Sequence, residues 1–321
     1  MKYTVVIRTL GKSGKMFFDT IDSIQKQSIP PEKILVYIAE GFPLPSEKIA
    51  GIEFVYVPKG MVRQRALKYK EVDSSYILFL DDDVYLPREA VKVLYTQLIN
   101  NNADVIAPDV FPNAQRNLKT KIKMAFTGKS VARRDDEWAY KALRNGGYSY
   151  NENPTKSTYF SQLNAGPCFF CLKETFLSIH LEDELWLDGA PYALPEDQVM
   201  FYKFYRFGYK ILTSFDSGII HLDAGSTNKM SSSKEYNILY SESRNKIIYW
   251  HRFFYLPEYN KICCRLLNIL SISVTYCIRI VLLICKFKIQ ESKFWIKGIR
   301  DGLTYIKSIE YKNLSVIPAN K

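Results

Sequence analysis

The run Tyr76-Ile77-Leu78-Phe79-Leu80 is apolar at every position, has the length of a strand, and ends on three carboxylates in succession, Asp81-Asp82-Asp83. A strand without polar alternation has to be covered on both faces, as in a parallel sheet clothed by helices. Such sheets open their ligand sites beyond the carboxyl ends of the strands. Three adjacent anions at that edge repel one another and need a cation or solvent to relieve them. Oxygen donors suit Mg2+ or Mn2+, which take one or two carboxylates and complete their shell with phosphate oxygens and water. The competing reading, an acidic cap for a helix beginning at Pro87, needs only one of the three acids.

The flanking sequence alternates strand and helix signals. Strands are expected at 3–7, 33–39, 54–57 and 104–107, and helices at 16–27, 62–69 and 87–98. Strands separated by helices imply an α/β protein whose central sheet is mostly parallel, with right-handed crossovers. Residues 112–160 are rich in Asn, Lys, Arg, Tyr and Gly and carry no clear period. They read as a long insertion on the acceptor side of a site, of the kind that is functional or mobile. Regular structure is expected again at 165–172 (strand), 196–207 (helix) and 210–214 (strand). This divides the chain into a catalytic part, 1–228, and a basic, apolar, helical part, 229–321.

Charge is placed unevenly. Residues 229–321 hold 16 Lys/Arg against 6 Asp/Glu, so nearly all of the net +11 lies there. A nucleic-acid binder would carry that charge on its recognition module. Here it accompanies an apolar segment, 262–285, interrupted by Arg265, Asn268 and Arg279 and flanked by Lys261, Lys286 and Lys288. Its longest charge-free stretch is 13 residues, 266–278, short of the ~20 needed to span a bilayer. An interfacial helix on an anionic membrane surface is expected, with a buried helix or a homodimer interface as the competing readings. The start of the chain runs straight into strand-like sequence and shows no signal peptide. The expected location is cytoplasmic, peripheral on the inner face of the cell membrane. Cys168 and Cys171 have CxxC spacing inside an apolar strand, where positions i and i+3 point to opposite faces; buried thiols are expected, not a metal site.

The segment Phe79-Leu80-Asp81-Asp82-Asp83 with Val84-Tyr85-Leu86-Pro87 resembles the DXD region of family 2 glycosyltransferases, which have the GT-A fold, a Rossmann-like sheet flanked by helices. The resemblance runs over roughly residues 3–250. Thr4-Val5-Val6-Ile7-Arg8-Thr9 is similar to the opening strand, whose end, at Thr9, borders the nucleotide. Glu40-Gly41 stands where the family reads the base with an acid. Gly60-Met61-Val62-Arg63-Gln64-Arg65-Ala66 is similar to a Gly…Ala-Arg-Asn segment, with Arg63 placed for base or phosphate. Leu194-Pro195-Glu196-Asp197-Gln198, with Phe207-Gly208-Tyr209-Lys210 closing the helix, resembles the segment whose acid pair supplies the general base. Asn164-Ala165-Gly166-Pro167 resembles the strand bordering the acceptor, and His221-Leu222-Asp223-Ala224-Gly225-Ser226 stands where some GT-A enzymes place a further metal ligand. Ser243-Arg244-Asn245 is similar to a segment of enzymes that build bacterial surface polysaccharides.

The resemblance implies an inverting transfer of a sugar from a nucleoside-diphosphate donor to a saccharide or lipid-linked saccharide acceptor. It assigns Asp197 as base with Glu196 in support or on the acceptor. Thr9, Glu40, Arg63, Asp81, Asp82 and Arg244 fall on the donor, Gly166 on the acceptor. Asp81, Asp83 and His221 fall on a divalent ion, Mn2+ or Mg2+. Which two of the three aspartates touch the ion stays open. Two other readings compete. A haloacid-dehalogenase-like phosphohydrolase would need Thr or Val where Tyr85 stands. A non-catalytic nucleotide-sugar-binding protein on the same scaffold has no use for an intact triplet and acid pair together.

Overall fold

The computed structural model describes residues 1–44, 49–110, 117–223, 231–258 and 261–319. In chain order the elements are β1 (Tyr3–Thr9), α1 (Lys15–Gln25), β2 (Lys33–Ala39), β3 (Ile52–Val57), β4 (Tyr76–Asp81), β5 (Val84–Tyr85), α2 (Ala90–Asn100), β6 (Val105–Pro108), α3 (Leu118–Phe126), β7 (Ser130–Arg133), β8 (Trp138–Ala142), β9 (Tyr148–Asn151), β10 (Thr158–Ser161), β11 (Cys168–Leu172), α4 (Lys173–Ser178), α5 (Glu196–Arg206), β12 (Ile211–Ser214), β13 (Ile220–His221), α6 (Ser232–Trp250), α7 (Ile262–Cys285), α8 (Ile289–Tyr305) and α9 (Ile309–Lys312). A 3-10 segment, Leu181–Gly189, precedes α5, and one π-helical turn, His251–Tyr255, continues α6.

The strands form an eleven-stranded sheet in the order β3-β2-β1-β4-β11-β6-β12-β10-β8-β9-β7, with β5 and β13 as a separate ribbon. β3, β2, β1 and β4 are parallel, and β11 lies antiparallel between β4 and β6. The apolar runs become the buried central strands because helices cover both faces. One face carries Val5, Ile7, Leu78 and Leu80 against Phe17 of α1 and Leu94 of α2. The other carries Val6, Ile77 and Phe79 in one apolar cluster with Phe201 of α5, which continues through Tyr249 of α6 to Tyr276 of α7 and Trp295 of α8. Cys168 lies in the first cluster and Cys171 in the second, so the CxxC thiols face opposite ways, and both are free.

Two expectations are corrected. The segment 62–69 is a series of turns, not a helix. Its apolar spacing buries Val62 and Tyr69, but the N–H groups of Val62 and Arg63 donate to the distant Asp188 carboxylate, and Tyr69 adopts a left-handed φ of 48°. The insertion 112–160 contains regular structure: α3 and four strands that extend the sheet beyond β12. Each of those strands is only four or five residues long, so no period has room to develop. Residues 112–116, and the boundary at 228/229, lie outside the described residues.

The C-terminal helices are tied to the sheet by buried charge as well as by apolar packing. Glu184, fully buried, accepts from Lys203 Nζ (2.8 Å), from Arg252 Nε (3.0 Å) and Nη2 (3.0 Å), and from Trp186 Nε1 (2.7 Å). Arg252 also donates to the carbonyl of Ser315 (2.8 Å). Burial pushes the Glu184 carboxyl up, but Lys203 and Arg252 outweigh it and hold the group below the usual carboxylate range. Removing one partner of a buried pair leaves the other charge uncompensated in low dielectric. Glu184→Gln leaves Arg252 without its carboxylate and Lys203 with only the more distant Asp183 (3.4 Å), and is expected to cost about 3–5 kcal/mol of stability, read from the urea unfolding midpoint; a change within experimental error would show that the cluster is dispensable.

Candidate active site

The parallel register of β1 and β4 sets Arg8 beside Asp81 at the carboxyl edge of the sheet. Arg8 grips Asp81 with two nitrogens, Nε to Oδ1 at 2.5 Å and Nη2 to Oδ2 at 3.2 Å. Its Nη1 donates to Glu196 Oε1 at 2.8 Å and to the Met61 carbonyl at 3.0 Å. Arg65 enters from the turns after β3. Its Nη1 meets Glu196 Oε1 at 2.7 Å and Asp197 Oδ1 at 3.3 Å, and its Nη2 meets Asp81 Oδ1 at 3.4 Å and the Gly166 carbonyl at 2.9 Å. Two guanidiniums thus hold Asp81 and Glu196 together, joining β1, β4, the 60–65 turns and the first turn of α5.

The two acids of this network titrate in opposite directions. Burial pushes the Asp81 carboxyl up, yet Arg8 and Arg65 prevail and hold it below its ordinary value. For Glu196, burial prevails over the same two arginines, and with Asp197 and Asp81 adding repulsion its carboxyl is raised. Glu196 is 4% exposed at its side chain, whereas that of Asp197, one residue on, is 36% exposed. The first turn of the helix therefore presents one carboxylate outward while its neighbour is sealed in. Asp197 also abuts Gly166: a Cβ added to that glycine would lie 1.9 Å from Asp197 Oδ1.

The aspartates of the triplet have three different partners. Asp81 belongs to the arginines. Asp82 accepts from the Thr9 hydroxyl, which itself accepts from the Gly11 N–H at 2.7 Å. Burial, with the charges of Asp83 and Asp81, raises the Asp82 carboxyl despite that bond. Asp83 faces His221, with Oδ2 3.0 Å from Nε2. The β5–β13 ribbon makes this contact by pairing Val84 with His221 and bonding the Leu222 N–H to the Asp83 carbonyl at 2.8 Å. Burial disfavours the imidazolium of His221, but the bond to Asp83 and the charges of Asp81 and Asp223 outweigh it and raise its pKa. A carboxylate and an imidazole facing each other at this distance, both partly exposed, are a chemically fitting pair of ligands for a divalent ion. Among the described residues no group of three or more His, Cys, Asp or Glu side chains encloses a cation, so the rest of any coordination shell would come from substrate and water.

The other expected site residues are spread around this edge. Glu40 is exposed at the end of β2, its N–H donating to the Val57 carbonyl at 2.8 Å. Arg63 is exposed, and its backbone N–H is held by Asp188 Oδ2 at 2.9 Å. Arg244 stands apart from the charge network. It is buried, donates to the Trp186 carbonyl (3.0 Å) and Asn245 Oδ1 (2.7 Å), and lies against Gly189. Ala224, Gly225 and Ser226 lie outside the described residues. Sequence reasoning passed over Arg8, Arg65 and Asp188 as functional groups. Arg8 carried a signal, a lone cation in an otherwise buried strand; Arg65 and Asp188 carried none, since their partners are far away in the chain.

Loss of Arg65 leaves Glu196 with one guanidinium and raises its carboxyl further. An acid whose folded pKa exceeds its unfolded value contributes stability that is present below the unfolded pKa and lost as pH rises through the folded one. Arg65→Met is therefore expected to destabilise by about 3 kcal/mol at pH 8 and by less at pH 5. Thermal unfolding across that range checks this; a deficit independent of pH would show that Arg65 does not balance Glu196.

No protein-family model and no curated protein matches the sequence. Among solved structures, GalNAc-T7 with UDP, GalNAc and Mn2+ is similar, with a TM-score of 0.51 and 16% sequence identity, covering 82% of this chain and 52% of that chain. The chain thus spans about half the length of that protein, and at this identity the likeness is one of fold. The large sheet, its parallel first half, the antiparallel strand beside β4 and the flanking helices make this a GT-A fold.

Proposed function

We propose that the protein is an inverting glycosyltransferase that moves a sugar from a nucleoside diphosphate to a hydroxyl of a saccharide or lipid-linked saccharide. The observation that carries this reading is the split of the acid pair opening α5: Glu196 sealed between Arg8 and Arg65, Asp197 partly open beside Gly166. In this reading Asp197 takes the proton of the acceptor hydroxyl as the acceptor oxygen bonds to the anomeric carbon. The bond from that carbon to the diphosphate breaks, and the nucleoside diphosphate leaves with the electron pair. Arg65, bonded to Asp197 and to the Gly166 carbonyl, fixes the carboxylate for that transfer. The GT-A fold and the UDP and Mn2+ bound by the similar structure support the reading.

Asp83 and His221 would hold the divalent ion, which when bound neutralises charge on the leaving diphosphate. A nitrogen ligand favours Mn2+ over Mg2+. Thr9, Glu40 and Arg63, at the ends of β1 and β2 and in the following turns, border the nucleotide. Arg244 acts at one remove. It secures the 186–189 segment, whose Asp188 holds the backbone of the Arg63 turn, and is in this reading a positioning residue.

The test is a panel of UDP-, GDP- and dTDP-sugars with Mn2+, read as release of nucleoside diphosphate. Metal-dependent release with one donor is expected, and no release with any donor overturns the reading. Asp197→Asn is expected to lower kcat by roughly 10²–10⁴-fold while donor affinity is kept. Wild-type turnover in that variant would remove Asp197 from the base role. Asp83→Asn is expected to weaken donor binding only when Mn2+ is present, as isothermal titration would show. Retention of anomeric configuration in the product, seen by NMR, would refute inversion.

A further inference from the structure

Two helices far apart in sequence leave their apolar sides uncovered. In α3 no residue is buried, and Leu118, Ile122 and Phe126, spaced at i, i+4 and i+8, are 73%, 48% and 62% exposed. In α7 the residues Ile262, Leu266, Leu270, Val274, Val281 and Ile284 form an exposed stripe at helical spacing. The helices meet. Gly128, two residues past the end of α3, lies against the Thr275 side chain in the middle of α7, and Asn145 bonds both the Gly128 carbonyl (3.1 Å) and Thr275 Oγ1 (2.8 Å). At the far end of α7, Phe287 is 91% exposed between Lys286 and Lys288, with a left-handed φ of 55°.

Charge decides what fits this surface. Neither helix contains Asp or Glu. α3 carries Lys119, Lys121 and Lys123, and Lys286 and Lys288 follow α7, with Lys121 paired to Glu152 and Lys288 to Glu235 and Glu291; Arg265 and Arg279 of α7 lie on its protein-facing side, over the Tyr255 and Trp295 rings. An apolar surface whose own helices carry lysine and no acid matches the acyl boundary and headgroups of an anionic bilayer.

α7 is long and apolar enough to cross a membrane, but its opposite side is bonded to the protein along its length. Asn268 bonds the Phe254 carbonyl (2.7 Å) and accepts from Arg144 (3.0 Å), and Tyr276 bonds the Ser243 carbonyl (2.9 Å). Arg279 lies 5.4 Å from the centre of the Trp295 ring. A helix held in this way cannot enter the hydrocarbon without breaking those bonds in a medium that offers no replacement.

We infer that α3, α7 and the Phe287 turn form one surface that docks, lying flat, on an anionic lipid bilayer. This does not depend on the chemistry proposed for the sheet edge. The experiment is co-sedimentation of the full chain with phosphatidylcholine vesicles, with and without phosphatidylglycerol. Binding to the anionic vesicles, weakened by salt, is expected. Ile122→Ser with Phe126→Ser, and separately Phe287→Ser, are each expected to lower partitioning about tenfold. Lys119→Glu with Lys123→Glu is expected to remove the preference for phosphatidylglycerol. All these side chains are exposed or partly exposed, and an unchanged thermal midpoint shows that the variants fold. No binding to anionic vesicles overturns the proposal, as does binding that the α3 variants leave unchanged. A dimer in analytical ultracentrifugation that the same substitutions convert to monomer would assign the surface to a second copy of the chain and overturn it as well.

Discussion

The site rests on two guanidiniums that share two carboxylates at the edge of the sheet. Arg8 and Arg65 could not be buried without Asp81 and Glu196, nor the acids without the arginines, because an isolated charge in that position costs several kcal/mol. The network also fixes geometry. Arg8 and Asp81 are lateral neighbours in register, so their strands set that contact. Glu196 then anchors the first turn of α5 to both strands, and the helix can start in only one place relative to the sheet. Asp197 inherits its position from that anchor. A half-open carboxylate aimed by a buried neighbour is a more rigid device than one on a free loop, since the rotamers around it are already spent on ion pairs.

The same network explains why three identical residues in succession do three different things. β4 ends at Asp81, whose carboxylate still lies among the strands and meets arginine. The chain then turns, and Asp82 falls under the hydroxyl at the end of β1. By Asp83 the chain has entered the β5–β13 ribbon, which brings His221 across from a point far along the sequence. Repulsion within the triplet is thus eased by three separate partners. The donor set left facing outward is one carboxylate and one imidazole.

Much of this was legible locally. The central strands announce themselves as continuous apolar runs, and 33–39 falls on β2 to the residue. Glu196 and Asp197 stood out because a proline, an acid pair and a Gly-Tyr-Lys ending frame one helix. What was not legible is what depends on distant partners. Arg65 looks like a solvated cation until Glu196 and Gly166 are placed around it. Lys203 sits in a helix that reads as amphipathic, yet it is fully buried because Glu184 waits for it. The turns at 60–65 mimic a helix in their apolar spacing, and only the remote Asp188 carboxylate shows why they are not one. The short strands of the insertion gain their identity from pairing with one another and with β12, not from their own composition.

The segment 262–285 shows where composition misleads and spacing does not. By its apolar content it could span a bilayer, pack in a core or lie on a surface. The groups that decide are few: Asn268, Thr275, Tyr276 and Arg279 fall on one side of a helix, with Ile272 and Leu283 among them. That stripe contacts Asn145 of the insertion, Ser243 and Phe254 of α6 and its π-helical turn, and Trp295 of α8. One of them, Asn145, belongs to the insertion, so the strands added beyond β12 brace α7 as well as widening the sheet. A polar stripe at helical spacing inside an apolar segment commits one side of the helix to protein. The opposite side is left exposed, with aliphatic residues and no acid.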